Sequence, residues 1–65
     1  MKYQGQLPEK CDLCEEPLVD EFVDGVVQGR GWADMCVPCH ARFGIGLGTG
    51  CGQKYHIKTG EKIAG

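Results

Sequence analysis

The chain contains no run of 18 consecutive apolar residues, which excludes a membrane-spanning helix. No apolar signal-like stretch follows Met1, so a secreted protein with disulfide-paired cysteines is not the expectation. The phosphate-cradling motif G-x-x-x-x-G-K-[ST] is missing, as is a glycine fingerprint placed between a strand and a helix, which removes the common nucleotide-binding classes. Positive charge is not in excess either. The formal net charge is −2, a poor balance for a protein that coats nucleic acid through its phosphates. Histidine is limited to His40 and His56, which leaves little for acid–base catalysis or a histidine-rich catalytic ion site. Apolar material is also scarce. The 65 residues allow one domain, and a core drawn from Leu7, Leu13, Leu18, Phe22, Val26, Trp32 and Phe43 is too small to hold it without a staple.

The five cysteines supply one. Cys11-Asp12-Leu13-Cys14 and Cys36-Val37-Pro38-Cys39 are two C-x-x-C pairs, and each can turn two thiolates toward one ion from a tight turn. Two such turns complete the tetrahedral shell that Zn²⁺ prefers, so Cys11, Cys14, Cys36 and Cys39 are the expected ligands of one structural zinc. Two disulfides would leave Cys51 over. A thioredoxin-like redox pair needs a single C-x-x-C beside a βαβ unit, for which there is no room. Cys36-Val37-Pro38-Cys39-His40 also matches the C-x-x-C-H attachment site of c-type haem, but that leaves Cys11 and Cys14 without a task. Iron fits the same four-thiolate cage as zinc and stays open. His40, next to Cys39, is the best substitute ligand. His56 is a further candidate ligand or a partner for Cys51.

Along the chain, residues 1–10 read as a lead-in, 11–57 as the zinc-binding domain and 58–65 as a frayed tail. Pro17 stops any helix after the first cysteine turn. The β-favouring residues Phe22, Val23, Val26 and Val27 lead to a turn at Gln28-Gly29-Arg30-Gly31, and Trp32 to Met35 returns toward Cys36. Asp24-Gly25 is a competing turn. Pro38 suits the first turn of a short helix and Gly44 the position past its end. From Gly44 to Gly52 every second residue is glycine, a pattern that cannot be a stable helix and that lets the chain lie flat while Ile45 and Leu47 fill the core. Tyr55, His56 and Ile57 add a short strand. The expected fold is a small metal-stabilised α+β domain: a treble-clef zinc finger of knuckle, β-hairpin and short helix, with a glycine-rich C-terminal extension.

Charge is uneven. Residues 9–24 hold seven acids against Lys10, while from Arg30 onward five bases face Asp34 and Glu61. Two solvated faces of opposite sign account for this. The sharper reading makes Arg30, Arg42, Lys54 and Lys58 candidate contacts to nucleic acid.

The pattern C-x-x-C, a hairpin, then Met35-Cys36-x-x-Cys39-His40 resembles the treble-clef zinc core of many HNH endonucleases and the zinc fingers of transcription factors related to DksA and TraR. From Cys11 to Tyr55, about two thirds of the chain, it is more closely similar to small zinc-finger proteins of bacteriophages and prophages, through Phe22-Val23-Asp24-Gly25, Trp32, Met35 and Gly46-Leu47-Gly48-Thr49-Gly50. That resemblance implies a phage-type protein without an assigned activity. The nuclease comparison lacks its hairpin histidine, since the corresponding stretch reads Phe22-Val23-Asp24-Gly25. Four thiolates on zinc leave no open position for a reacting water. The expectation is therefore a non-enzymatic zinc module of a reducing compartment, the cytoplasm or a phage host's cytoplasm, that binds a protein. A nucleic-acid-binding finger is the alternative, followed by a degenerate HNH-type nuclease.

Overall fold

The computed structural model describes residues 2–65. Four strands and one helix follow one another as β1 (Glu21–Val27), β2 (Gly31–Met35), α1 (Val37–Phe43), β3 (Gly52–His56) and β4 (Lys62–Ala64). They form an antiparallel sheet in the order β2-β1-β3-β4 beside a single short helix, a small α+β architecture. No helix among the described residues is long and apolar enough to cross a membrane.

The hairpin turns at Gln28-Gly29-Arg30, where Gly29 at φ 81° occupies a conformation that costs a side chain energy, and the Arg30 amide donates to the Val27 carbonyl at 2.9 Å. Asp24-Gly25 is not a turn. Both residues lie inside β1, with Asp24 opposite Asp34 and Gly25 opposite Ala33. Gly25 answers a packing need instead: it also pairs with Gly52 of β3, and a Cβ there would sit 3.1 Å from the Cys51 carbonyl oxygen. Two adjacent strands approach closely because neither carries a side chain at that point.

As an inner strand, β1 is covered on both faces, which explains why the neighbours Phe22 and Val23 are both fully buried. On one face Tyr3 and Tyr55 surround Phe22, Tyr3 edge-on to both rings and Tyr55 stacked on Phe22, with centroids 5.2–5.4 Å apart. On the other, Val23 lies opposite Met35, and α1 packs against β1. Cys11, Leu18, Val27, Ala33 and Cys39 complete the buried set.

Several sequence expectations are corrected here. Trp32 and Phe43 are half-exposed, at 55% and 50%, and stay outside the core that Phe22, Met35 and Val23 lead. Ile45 and Leu47 are exposed as well, so the glycine-rich segment carries its apolar side chains outward instead of filling the core. The tail is not frayed: Lys62–Ala64 forms β4 on β3, and Glu61 pairs with Lys2. The third strand starts earlier than expected, at Gly52, and Ile57 already belongs to the following turn.

Candidate metal centre

The first half of the site is the turn Asp12-Leu13-Cys14. The Cys11 amide donates to the Glu16 carbonyl at 2.9 Å, and the Glu15 amide donates back to the Cys11 carbonyl at 3.0 Å, which closes the knuckle. Glu15 is held at φ 65°, the left-handed region that the reversal requires and that a non-glycine residue occupies at a cost. Inside the turn, the Leu13 amide points at Cys11 Sγ, 3.3 Å away.

The second half is the start of α1. Cys36 is its N-cap in extended geometry, Pro38 lies in the first turn where no amide is needed, and Cys39 follows as the one buried residue of the helix. The short return strand β2 ends at Met35 and so delivers Cys36 directly. At the other end of α1, His40 Nε2 lies 2.9 Å from the Gly46 carbonyl oxygen, and a Cβ on Gly44 would collide with the same ring. The glycine at the helix end is thus a steric requirement of His40 packing; its φ is an ordinary −78°.

These halves bring the sulfurs of Cys11, Cys14, Cys36 and Cys39 within 4.8 Å of one another. Cys14 Sγ and Cys36 Sγ are 3.8 Å apart. Four sulfurs at about 2.3 Å from a central ion define a tetrahedron whose edge is about 3.8 Å, so the spacing suits a tetrahedral thiolate-bound metal. The donor set suits zinc and equally suits iron.

The protonation equilibria of the free thiols show why the cluster calls for a cation. Burial raises the Cys11 thiol, but the amides of Cys14, Cys36 and Leu13, together with the Cys39 thiol, outweigh it and bring the group down to about 6. Cys39 moves the opposite way, to about 12, through burial and then its contacts with the Cys36, Cys11 and Cys14 sulfurs. Cys14 is drawn down by the Glu16 amide, yet burial and the Cys11 and Cys36 sulfurs leave it raised overall. One thiolate therefore forms readily and hinders the others, a repulsion that a divalent ion at the centre removes.

A second feature ties the site to the sheet. The Asp12 amide donates to the Asp34 carbonyl at 2.8 Å, the Asp34 amide donates to Asp12 Oδ2 at 2.9 Å, and Arg30 Nη2 reaches the Asp12 carbonyl at 3.3 Å. Sequence reasoning missed this clamp; an acid inside a cysteine turn, with free acceptors and no local donor, was the available signal. Asp34 also accepts from the Tyr3 hydroxyl at 3.2 and 3.3 Å. Burial, then Asp34 and Asp24, push the Tyr3 phenol up to about 12, so it stays protonated and donates.

The other candidates lie apart from the cysteines. Neither His40, His56 nor Cys51 belongs to the cluster. His56 lines a surface depression of about 520 Å³ with Asp20, Glu21, Lys58 and Thr59, a mixed-charge lining. The four bases do not form one patch. Arg30 occupies the β1–β2 turn and Lys58 the turn after β3, at opposite ends of the seven-residue β1 and so roughly 20 Å apart. Lys54 pairs with Glu21 at 3.8 Å, and Arg42 lies over the Phe43 ring at 6.0 Å.

Set against protein families, curated proteins and solved structures, the chain matches none.

Proposed function

We propose that this chain is a treble-clef zinc module in which one Zn²⁺, held by Cys11, Cys14, Cys36 and Cys39, serves the fold, and whose task is to bind a protein. The observation that carries this reading is the four-sulfur cluster at tetrahedral spacing. The order of knuckle, hairpin and cysteine-bearing helix start supports the treble-clef reading. Four thiolates saturate the ion, so it has no position for a substrate or a reacting water. That supports a non-enzymatic role, as does the seating of His40 Nε2 on the Gly46 carbonyl. The half-exposed Trp32, Phe43, Ile45 and Leu47 supply apolar and aromatic contact area of the kind found at interface centres. A phage-type protein that docks on a host or phage protein in the cytoplasm fits this description.

Nucleic-acid binding is the second reading. The bases that would carry it are spread over both ends of the sheet, and Lys54 already faces Glu21. Affinity capture by the zinc-loaded protein from a bacterial lysate, beside oligonucleotide titrations at several salt concentrations, separates the two. A saturable protein partner with flat salt dependence supports the first. Repeated capture of nothing above background, with DNA or RNA affinity that falls steeply as salt rises, replaces it with the second.

A further inference from the structure

The four sulfurs are not equivalent. Cys11 is fully buried and Cys39 nearly so, whereas Cys36 is half-buried and Cys14 exposed. Cys11 Sγ is held further by the Leu13 amide, 3.3 Å away. Burial keeps an oxidant away from a sulfur, so exposure makes Cys14 the reactive one. Its neighbour at 3.8 Å is Cys36 Sγ, on the opposite half of the site. A disulfide of about 2.05 Å needs the two sulfurs to approach by less than about 2 Å, and both sit on surface features, an exposed turn and a helix cap.

We infer that Cys14 is an oxidation site for hydrogen peroxide and that Cys36 resolves it to a Cys14–Cys36 disulfide, with loss of the metal. The inference rests on the proposed metal site for that last consequence alone. In the first step the Cys14 thiolate attacks one peroxide oxygen; an S–O bond forms, the O–O bond breaks, and the departing hydroxide takes a proton to become water. In the second the Cys36 thiolate attacks Cys14 sulfur; the S–S bond forms and the S–O bond breaks, with a second hydroxide leaving as water. Two sulfurs are oxidised by two electrons in all, the peroxide is reduced by two, and two protons are consumed. Each half of the site loses one ligand. Cys11 and Cys39 stay behind in the core, where two thiolates hold an ion far less tightly than four.

The test treats the full, metal-loaded chain with one equivalent of hydrogen peroxide and follows zinc with a chromogenic chelator while peptide mapping identifies the disulfide. The expected result is zinc release together with a Cys14–Cys36 linkage, reversed by a dithiol reductant and added zinc. Cys14→His keeps a zinc-binding side chain and removes the reactive sulfur, so its release is slowed by roughly tenfold or more, while Cys51→Ser releases at the unaltered rate. A linkage between Cys11 and Cys14, a linkage to Cys51, or release from Cys14→His at the unaltered rate overturns the inference. Metal content measured before oxidant judges the metal site separately. If Cys14→His does not fold, the disulfide map of the unaltered chain decides alone.

Discussion

Asp12 and Asp34 grip each other through two hydrogen bonds, an amide to carbonyl at 2.8 Å and an amide to carboxylate at 2.9 Å, so the cysteine knuckle is fastened along the outer edge of β2. The arrangement resembles one more rung of the sheet, made by a turn in place of a strand. It occupies the outward amide and carbonyl of Asp34, which a free edge would otherwise offer to another chain.

Asp12→Ala therefore costs about 1 kcal/mol, the typical worth of one hydrogen bond, which lowers the thermal midpoint of a domain this size by about 4–8 °C. Asp12→Asn keeps an acceptor and removes a charge that bears on Asp24 and Asp34, so it is neutral or slightly stabilising. Thermal unfolding of the two zinc-loaded variants checks this. Equal losses in both would mean that charge, not the acceptor, holds the knuckle.

Across the hairpin, Asp24 and Asp34 face one another directly, and like charges in that position are unfavourable. Burial, then Asp12, raises the Asp24 carboxyl above its ordinary 3.8; burial, then Asp24, does the same for Asp34. A carboxyl with a raised folded-state pKa adds stability that is complete below its unfolded value and disappears as pH rises through the folded one. At neutral pH both are charged, and the pair is a net cost. Asp24→Asn is expected to be more stable than the parent by roughly 0.2–1 kcal/mol at neutral pH, with the gain shrinking on acidification. Denaturant titrations of metal-loaded protein from about pH 7 to just above the point where thiol protonation releases the ion measure the trend. A gain that grows toward acid would reverse the sign argued here.

Much of this was legible because it is local. Cysteine spacing set the knuckle, and Gln28-Gly29-Arg30 set the hairpin turn, each from residues a few positions apart. What depended on distant packing was not. Asp24-Gly25 reads as a turn until Gly52 arrives from β3 and needs Gly25 to be bare. Lys62–Ala64 is too short and too mixed to announce a strand, and exists because β3 offers an edge. Phe43, Ile45 and Leu47 look like core by composition yet lie exposed, while the aromatic cluster around Phe22 recruits Tyr3 from the lead-in. The four cysteines of the cluster could be named from spacing, but the exposure difference among them came only with the fold.

Glu15 offers a cleaner test of the knuckle backbone. Its φ of 65° costs a side chain that a glycine would not feel, whereas Asp20, at φ 63°, has a short polar chain that tolerates the region better. Glu15→Gly is expected to stabilise by about 0.5–1 kcal/mol, because relief of strain exceeds the extra chain entropy of glycine in the unfolded state. Glu15→Ala keeps a Cβ and gains nothing comparable. Denaturant midpoints of the three proteins decide it, and a Glu15→Gly protein weaker than Glu15→Ala would place the knuckle's strain elsewhere.

Removal of the metal is expected to unfold the chain, not merely to loosen it. A domain of this size holds roughly 3–10 kcal/mol of net stability at the usual figure per residue, whereas a structural zinc in a small domain contributes an apparent 10–16 kcal/mol. Among the described residues the fully buried large side chains are few, led by Phe22, Met35 and Val23, and two further buried groups, Cys11 and Cys39, are themselves proposed ligands. Without the ion, the depressed Cys11 thiol and the raised Cys39 thiol leave a thiolate beside protonated neighbours in the core, so the site opposes the fold it otherwise holds. Chelation at neutral pH should abolish dispersion of the amide and methyl proton signals, and stoichiometric zinc under reducing conditions should restore it. Trp32 is too exposed for its fluorescence to report the change well. Cys36→Ser, which leaves three thiolates, is expected to show the metal-free spectrum unless zinc is in excess. A chelated chain that keeps its dispersed spectrum would show that the sheet and aromatic cluster suffice, and that the metal has another task.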